Sequence, residues 1–166
     1  TVMTVLCLLA LTTAAGAAEP LQEGDVIFQT SRSSQSLAIQ QATKSPYSHM
    51  GVLVSRNGQL MVFEASATVR YTPLAAWTSR GDGGRYVVKR IRGGLSSSQK
   101  SALRASARAF EGKPYDLTFE WTNSRIYCSE LVWKMYKQAV KIEVGKLQRL
   151  REFDLTGKAV RVKMKE

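Results

Sequence analysis

The chain has 166 residues, enough for one domain core and little more. Apolar residues make up 44% and charged residues 22%, a globular composition that excludes a disordered chain. Lys and Arg number 24 against 13 Asp and Glu, a net charge of +11, while two cysteines and one histidine exclude a four-ligand Cys/His zinc site and a framework of several disulfides.

Residues 2–18 carry no charge, and their apolar stretch suits the core of a secretory leader. Ala15, Gly16, Ala17 and Ala18 supply the small residues of a cleavage site, so we read 1–18 as leader and 19–166 as one mature domain. The stretch is shorter than the roughly 20 residues a transmembrane helix needs. Cys7 lies in the leader, and Thr4-Val5-Leu6 before it lacks the small residue expected ahead of a lipidated cysteine. The expected product is exported, periplasmic or secreted, with Cys128 as its single cysteine. Such a thiol has no internal disulfide partner. It is a buried packing residue, an intermolecular partner or a nucleophile.

In chain order, Gly24-Asp25 turns into a strand at Val26-Ile27-Phe28. Residues 33–42 suit a short helix with Leu37 and Ala38 inward, ended by Pro46. Residues 49–55 and 59–66 read as strands joined by Asn57-Gly58, the strongest short hairpin signal. Val69-Arg70-Tyr71 continues as a third strand, and Pro73 opens a short helix through Trp77. Residues 85–91 alternate like a strand. Ser96 with Gln99 is a capping box for a helix that buries Leu103, Ala107 and Phe110. Gly112 suits its end. A loop leads to Cys128, a second helix covers 130–140, and 158–164 reads as a terminal basic strand.

A two-residue turn at Asn57-Gly58 fixes the hairpin register. Arg56 then faces Gln59, Gly51 faces Glu64 and His49 faces Ser66, so His49, Gly51, Glu64 and Ser66 share one sheet face. Glu64 is the diagonal neighbour of His49, and Gly51 has no side chain to stand between them. The glutamate can orient the imidazole, either as a structural pair in the core or as part of an active site. Met50, Val52, Val54, Met61, Phe63 and Ala65 form the opposite, apolar face.

Cys128 stands at the start of a helical pattern, with Leu131, Val132, Met135 and Tyr136 inward. Free N–H groups and the positive end of the helix dipole lower a thiol pKa there. The backbone N–H groups of Cys128 and Ser129 can stabilise an oxyanion. A cysteine with a positioned histidine is a general device for acyl transfer.

Five blocks carry a family resemblance: 24–28 (GDVIF), 47–52 (YSHMGV), Glu64-Ala65, 112–116 (GKPYD) and 127–132 (YCSELV). Together they resemble the YiiX/YebB-like permuted papain-like cysteine hydrolases of the NlpC-type superfamily. In the permuted group histidine precedes cysteine in the chain, as here. The resemblance implies Cys128 as nucleophile, His49 as base and Glu64 as third member. It also implies an α+β, circularly permuted papain-like fold, with an antiparallel sheet packed on helices and the nucleophile at a helix N-terminus. Tyr115 and Tyr127 are possible lining residues of the site, and Asp116 suits a turn.

The leading expectation is a cysteine hydrolase acting on an amide or related acyl bond of the cell envelope, with cell-wall peptide as substrate class. A lipid amidase or acyltransferase of the lecithin:retinol kind is the enzyme alternative, with the apolar loop 117–121 (LTFEW) as a possible groove wall. A non-catalytic envelope-binding module is the third reading. Residues 134–166 hold ten basic and four acidic residues, which suits either a solvated face or attraction to an anionic membrane or cell wall. Nucleic acid is not expected as a partner, because no binding motif accompanies the charge. No cofactor and no metal site is expected, and 81–84 (GDGG) lacks the lysine and spacing of a phosphate-binding loop. The protein is expected to be a monomer.

Overall fold

Asn57 and Gly58 both take positive φ, 53° and 78°, which gives a two-residue turn whose twist matches that of its flanking strands. In the computed structural model, which describes residues 19–165, this turn joins β2 (His49–Arg56) to β3 (Gln59–Ala65). The leader expected at 1–18, with Cys7, lies outside the described residues. The hairpin pairs Arg56 with Gln59 and runs in that register to Val52 with Phe63. Beyond it the ladder stops, but a β-carbon on Gly51 would lie 3.4 Å from Glu64 Cβ and 2.8 Å from the Phe63 carbonyl. The glycine therefore lets the strands stay close where Glu64 crosses.

β1 (Val26–Gln29) pairs antiparallel with β2, setting Gln29 beside His49. β4 (Val69–Thr72) pairs antiparallel with β3, and β5 (Val87–Lys89) with β1. The sheet order is β4-β3-β2-β1-β5. One face buries Val52, Val54, Phe63 and Ala65 against α3 (Ser97–Phe110) and α4 (Cys128–Ala139). The other buries Ile27, Leu53 and Val62 with Trp77 of α2 (Leu74–Thr78). This is the α+β arrangement expected, with an antiparallel sheet between helices. The capping box of α3 is present: Gln99 N–H donates to Ser96 Oγ, and Ser96 N–H donates to Gln99 Oε1. Gly112, at φ 84°, follows the helix and donates its N–H to the Val69 carbonyl, tying α3 to β4.

Three local expectations are corrected. The segment 158–164 is not a strand: α5 spans Lys158–Lys163. It packs on α1 (Ser36–Thr43), where Gln41 Oε1 accepts the Ala159 N–H and caps the helix start. Val160 is buried there, while Val162 stays exposed. Leu37 faces solvent, because α1 docks through buried Ser36 and Ala38, with Ser36 Oγ 2.7 Å from Ser48 Oγ. The strand expected over 85–91 shrinks to three residues. Arg90 leaves the ladder to clasp Asp25 with two hydrogen bonds of 2.6 and 2.8 Å.

Leu103→Ala removes a side chain with no exposed surface and should cost about 2–5 kcal/mol in urea denaturation. Leu37→Ala should change stability by less than about 0.5 kcal/mol, since Leu37 is 57% exposed.

Candidate active site

β2 begins at His49, and β3 brings Glu64 across from it with no exposed surface. The imidazole Nε2 lies 2.6 Å from Glu64 Oε2. The second carboxylate oxygen is held by others: Thr72 Oγ1, at the end of β4, donates to Oε1 at 2.6 Å, and the Arg80 guanidinium also donates to it. Arg80 reaches Ser66 Oγ as well, at 3.3 Å. The Trp77 ring lies along the imidazole with centroids 6.0 Å apart. With Nε2 engaged by Glu64, Nδ1 is the nitrogen left for another partner.

Cys128, the first residue of α4, is the neighbour on that side: its buried thiol and the imidazole shift each other's titration. Burial opposes a thiolate here. The His49 hydrogen bond and charge, with backbone N–H groups of Met50 and Ser129, outweigh burial and hold the thiol below its ordinary pKa. Burial likewise opposes charge on His49, but its bonds to Cys128 and Glu64 raise the imidazole to about 9. Burial also disfavours charge on Glu64, yet His49, Thr72 and Arg80 hold the carboxyl below its ordinary range. The three shifts all run toward the charged forms: a thiolate, an imidazolium and a carboxylate.

The structure thus brings Cys128 to the hydrogen-bonded pair of His49 and Glu64, with the Ser129 N–H near the sulfur. Tyr115 joins them. Its phenol lies near the thiol, and burial with the neighbouring thiolate raises its pKa, so it stays a donor. Tyr127 does not line the cavity. It precedes α4, donates its N–H to Glu130 Oε2 at 3.3 Å and packs on Phe119. Asp116 closes a turn, accepting from both the N–H and the hydroxyl of Thr118. Four groups at the site are not evident from sequence: Thr72, Arg80, the Met50 N–H and Gln29. The hairpin register alone could have flagged Met50, as the neighbour of His49. Beside the site lies a cavity of about 630 Å³ that reaches His49 and Tyr115, with Ile39, Ala65, Pro114 and Leu117 on its apolar side.

A cysteine at a helix N-terminus, meeting a histidine from the first residue of a strand earlier in the chain, defines a papain-like site in permuted order. The comparisons agree. Residues 20–166 match the model of the permuted papain-like amidase enzyme family, YaeF/YiiX, C92, and the chain belongs to that family. It is 53% identical over 145 residues to the uncharacterized protein YiiX of Escherichia coli (strain K12), covering 87% of this chain and 72% of that one. It also resembles the crystal structure of YiiX from Escherichia coli O157:H7, described as a metalloprotein. The TM-score is 0.84 at 53% identity, over 87% of this chain and 80% of the other. Among the described residues here, no three His, Cys, Asp or Glu side chains converge to hold a metal ion. Glu64 and the Nε2 of His49 are committed to each other, and Glu64 Oε1 to Thr72 and Arg80, so this donor set does not fit a metal centre.

Alkylation of Cys128 by iodoacetamide should follow an acid limb lying below the roughly 8.5 of a free thiol, because the thiolate is protonated only as pH falls through its depressed pKa. His49→Ala should move that limb upward. Titration of the His49 ring by NMR should show the proton leaving near pH 9.

Proposed function

We propose that this protein is an exported cysteine hydrolase that cleaves an amide or related acyl bond of a cell-envelope component, with cell-wall peptide as its leading substrate class. The observation that carries this reading is the meeting of Cys128, at the start of α4, with the His49–Glu64 pair, whose histidine lines an open cavity. The Cys128 thiolate attacks the scissile carbonyl carbon, and the carbonyl π electrons move to oxygen. Backbone N–H groups at Cys128 and Ser129 donate to that oxyanion in this reading, joined by the Tyr115 phenol. His49 passes its proton to the leaving nitrogen as the carbon–nitrogen bond breaks, leaving a thioester. Water, deprotonated by the now neutral His49, then attacks the thioester carbon, and the thiolate departs. Glu64 keeps the ring oriented and stabilises its charged form.

Export rests on the uncharged leader pattern at 2–18 with small residues at 15–18. A lipid acyl substrate is the second reading. Leu117, Phe119 and Trp121, in the loop that precedes the nucleophile, remain exposed and favour it. The depressed thiol pKa supports either enzyme over a non-catalytic module.

Cys128→Ala should abolish turnover of muropeptide or lipid amide while leaving the circular dichroism spectrum unchanged; retained turnover would overturn the assignment. Glu64→Gln should lower kcat by about 10- to 100-fold through loss of ring orientation and charge stabilisation, read in the same assay. Side-by-side hydrolysis of a muropeptide and a lipid amide separates the two substrate classes, and a mass adduct on Cys128 would identify the acyl group.

A further inference from the structure

The cavity that reaches His49 and Tyr115 is lined by positive and not negative side chains. Two arginines, Arg32 and Arg80, stand in its wall, and no Asp or Glu is among its lining residues. Arg80 is already balanced by Glu64. Arg32 is exposed, forms no ion pair among the described residues and is fixed only through the Ser79 carbonyl, which accepts from one terminal nitrogen. Its other guanidinium donors carry no hydrogen bond to the described chain. The hydroxyls of Ser33 and Ser34 lie along the same wall. Deeper in, the carboxamide of Gln29 is 1% exposed, and neither its oxygen nor its nitrogen has a hydrogen-bond partner. A buried, unpartnered carboxamide is costly in a folded protein unless something pairs with it.

We propose that this wall is a carboxylate subsite: the substrate carries a free carboxylate that seats against Arg32 and the Ser33–Ser34 hydroxyls, with Gln29 beneath as a further polar contact. The inference rests on the hydrolase reading for its placement next to the reacting bond, but not for the binding itself. One uncompensated guanidinium among neutral hydroxyls matches a single negative charge, which favours a carboxylate over a doubly charged phosphate. The apolar residues that also line the cavity, Ile39, Ala65, Pro114 and Leu117, offer the rest of the acyl or peptide chain an apolar surface. The subsite therefore selects peptide ends and acidic side chains over neutral amides and esters.

The test uses Cys128→Ala protein, which binds without turning over, and calorimetric titration with N-acetylalanine and N-acetylalaninamide. The acid should bind about tenfold more tightly than the amide. Arg32→Gln in the same background should bring the two within about twofold, while Arg92→Gln, away from the cavity, should leave the preference intact. Equal affinities, no saturable binding of the acid, or a preference that survives Arg32→Gln would overturn the subsite. Iodoacetamide labelling of the parent protein reads the chemistry separately. An inert Cys128 together with a retained, Arg32-dependent acid preference would remove the hydrolase reading and leave the subsite standing.

Discussion

The carboxylate of Glu64 has no exposed surface, and an unpaired charge in that position would cost several kcal/mol. Three segments supply its partners: the first residue of β2 through His49, the end of β4 through Thr72, and the turn after α2 through Arg80. Each must stand where it does for the others to work. Arg80 reaches inward only because the backbone of its turn is stitched to the chain after β1, where Arg32 N–H donates to the Arg80 carbonyl and Asp82 N–H to the Thr30 carbonyl. Trp77 closes the same face over the imidazole. The buried acid thus fixes the sheet edge, the α2 turn and the ring orientation together, and the ring orientation leaves Nδ1 to Cys128.

The site is a balance of charges held out of water. Burial alone would neutralise the thiol, the imidazole and the carboxyl, since each is disfavoured in its charged form. Partners reverse that outcome at all three. Arg80 supplies the second positive charge that lets Glu64 remain ionised beside a histidine, and the start of α4 supplies backbone donors to the sulfur. None of these groups is reactive by residue type alone. The reactivity comes from their order in space.

Much of this was legible in the sequence where the signal was local. Asn57-Gly58 fixed a two-residue turn, and the turn fixed the register that sets Glu64 beside His49. Ser96 and Gln99 announced the start of α3, and the apolar spacing after Cys128 placed it at a helix start. Arg80 and Thr72 were not legible, because nothing near them in the chain points to Glu64. Their role comes from a turn and a strand end that meet only in the folded protein. The segment Lys158–Lys163 misled for a related reason: Val160 and Val162 alternate as in a strand, but only Val160 is buried, against α1, and Gln41 supplies the cap. Leu37 shows the same limit, since a pair of serine hydroxyls decides which side of α1 faces inward.

The permuted order has a consequence for how the protein comes into being. His49 and Glu64 belong to one hairpin, joined by a two-residue turn, and such local pairs form early in folding. Cys128 stands on α4, far along the chain, and bringing it to the hairpin closes a much longer loop than the hairpin itself. A nascent, truncated or unthreaded chain therefore carries an ordinary cysteine, with neither a basic neighbour nor a helix start beneath it. The thiol gains its partners only when the structure closes, so it is chemically quiet for as long as the molecule is unfinished.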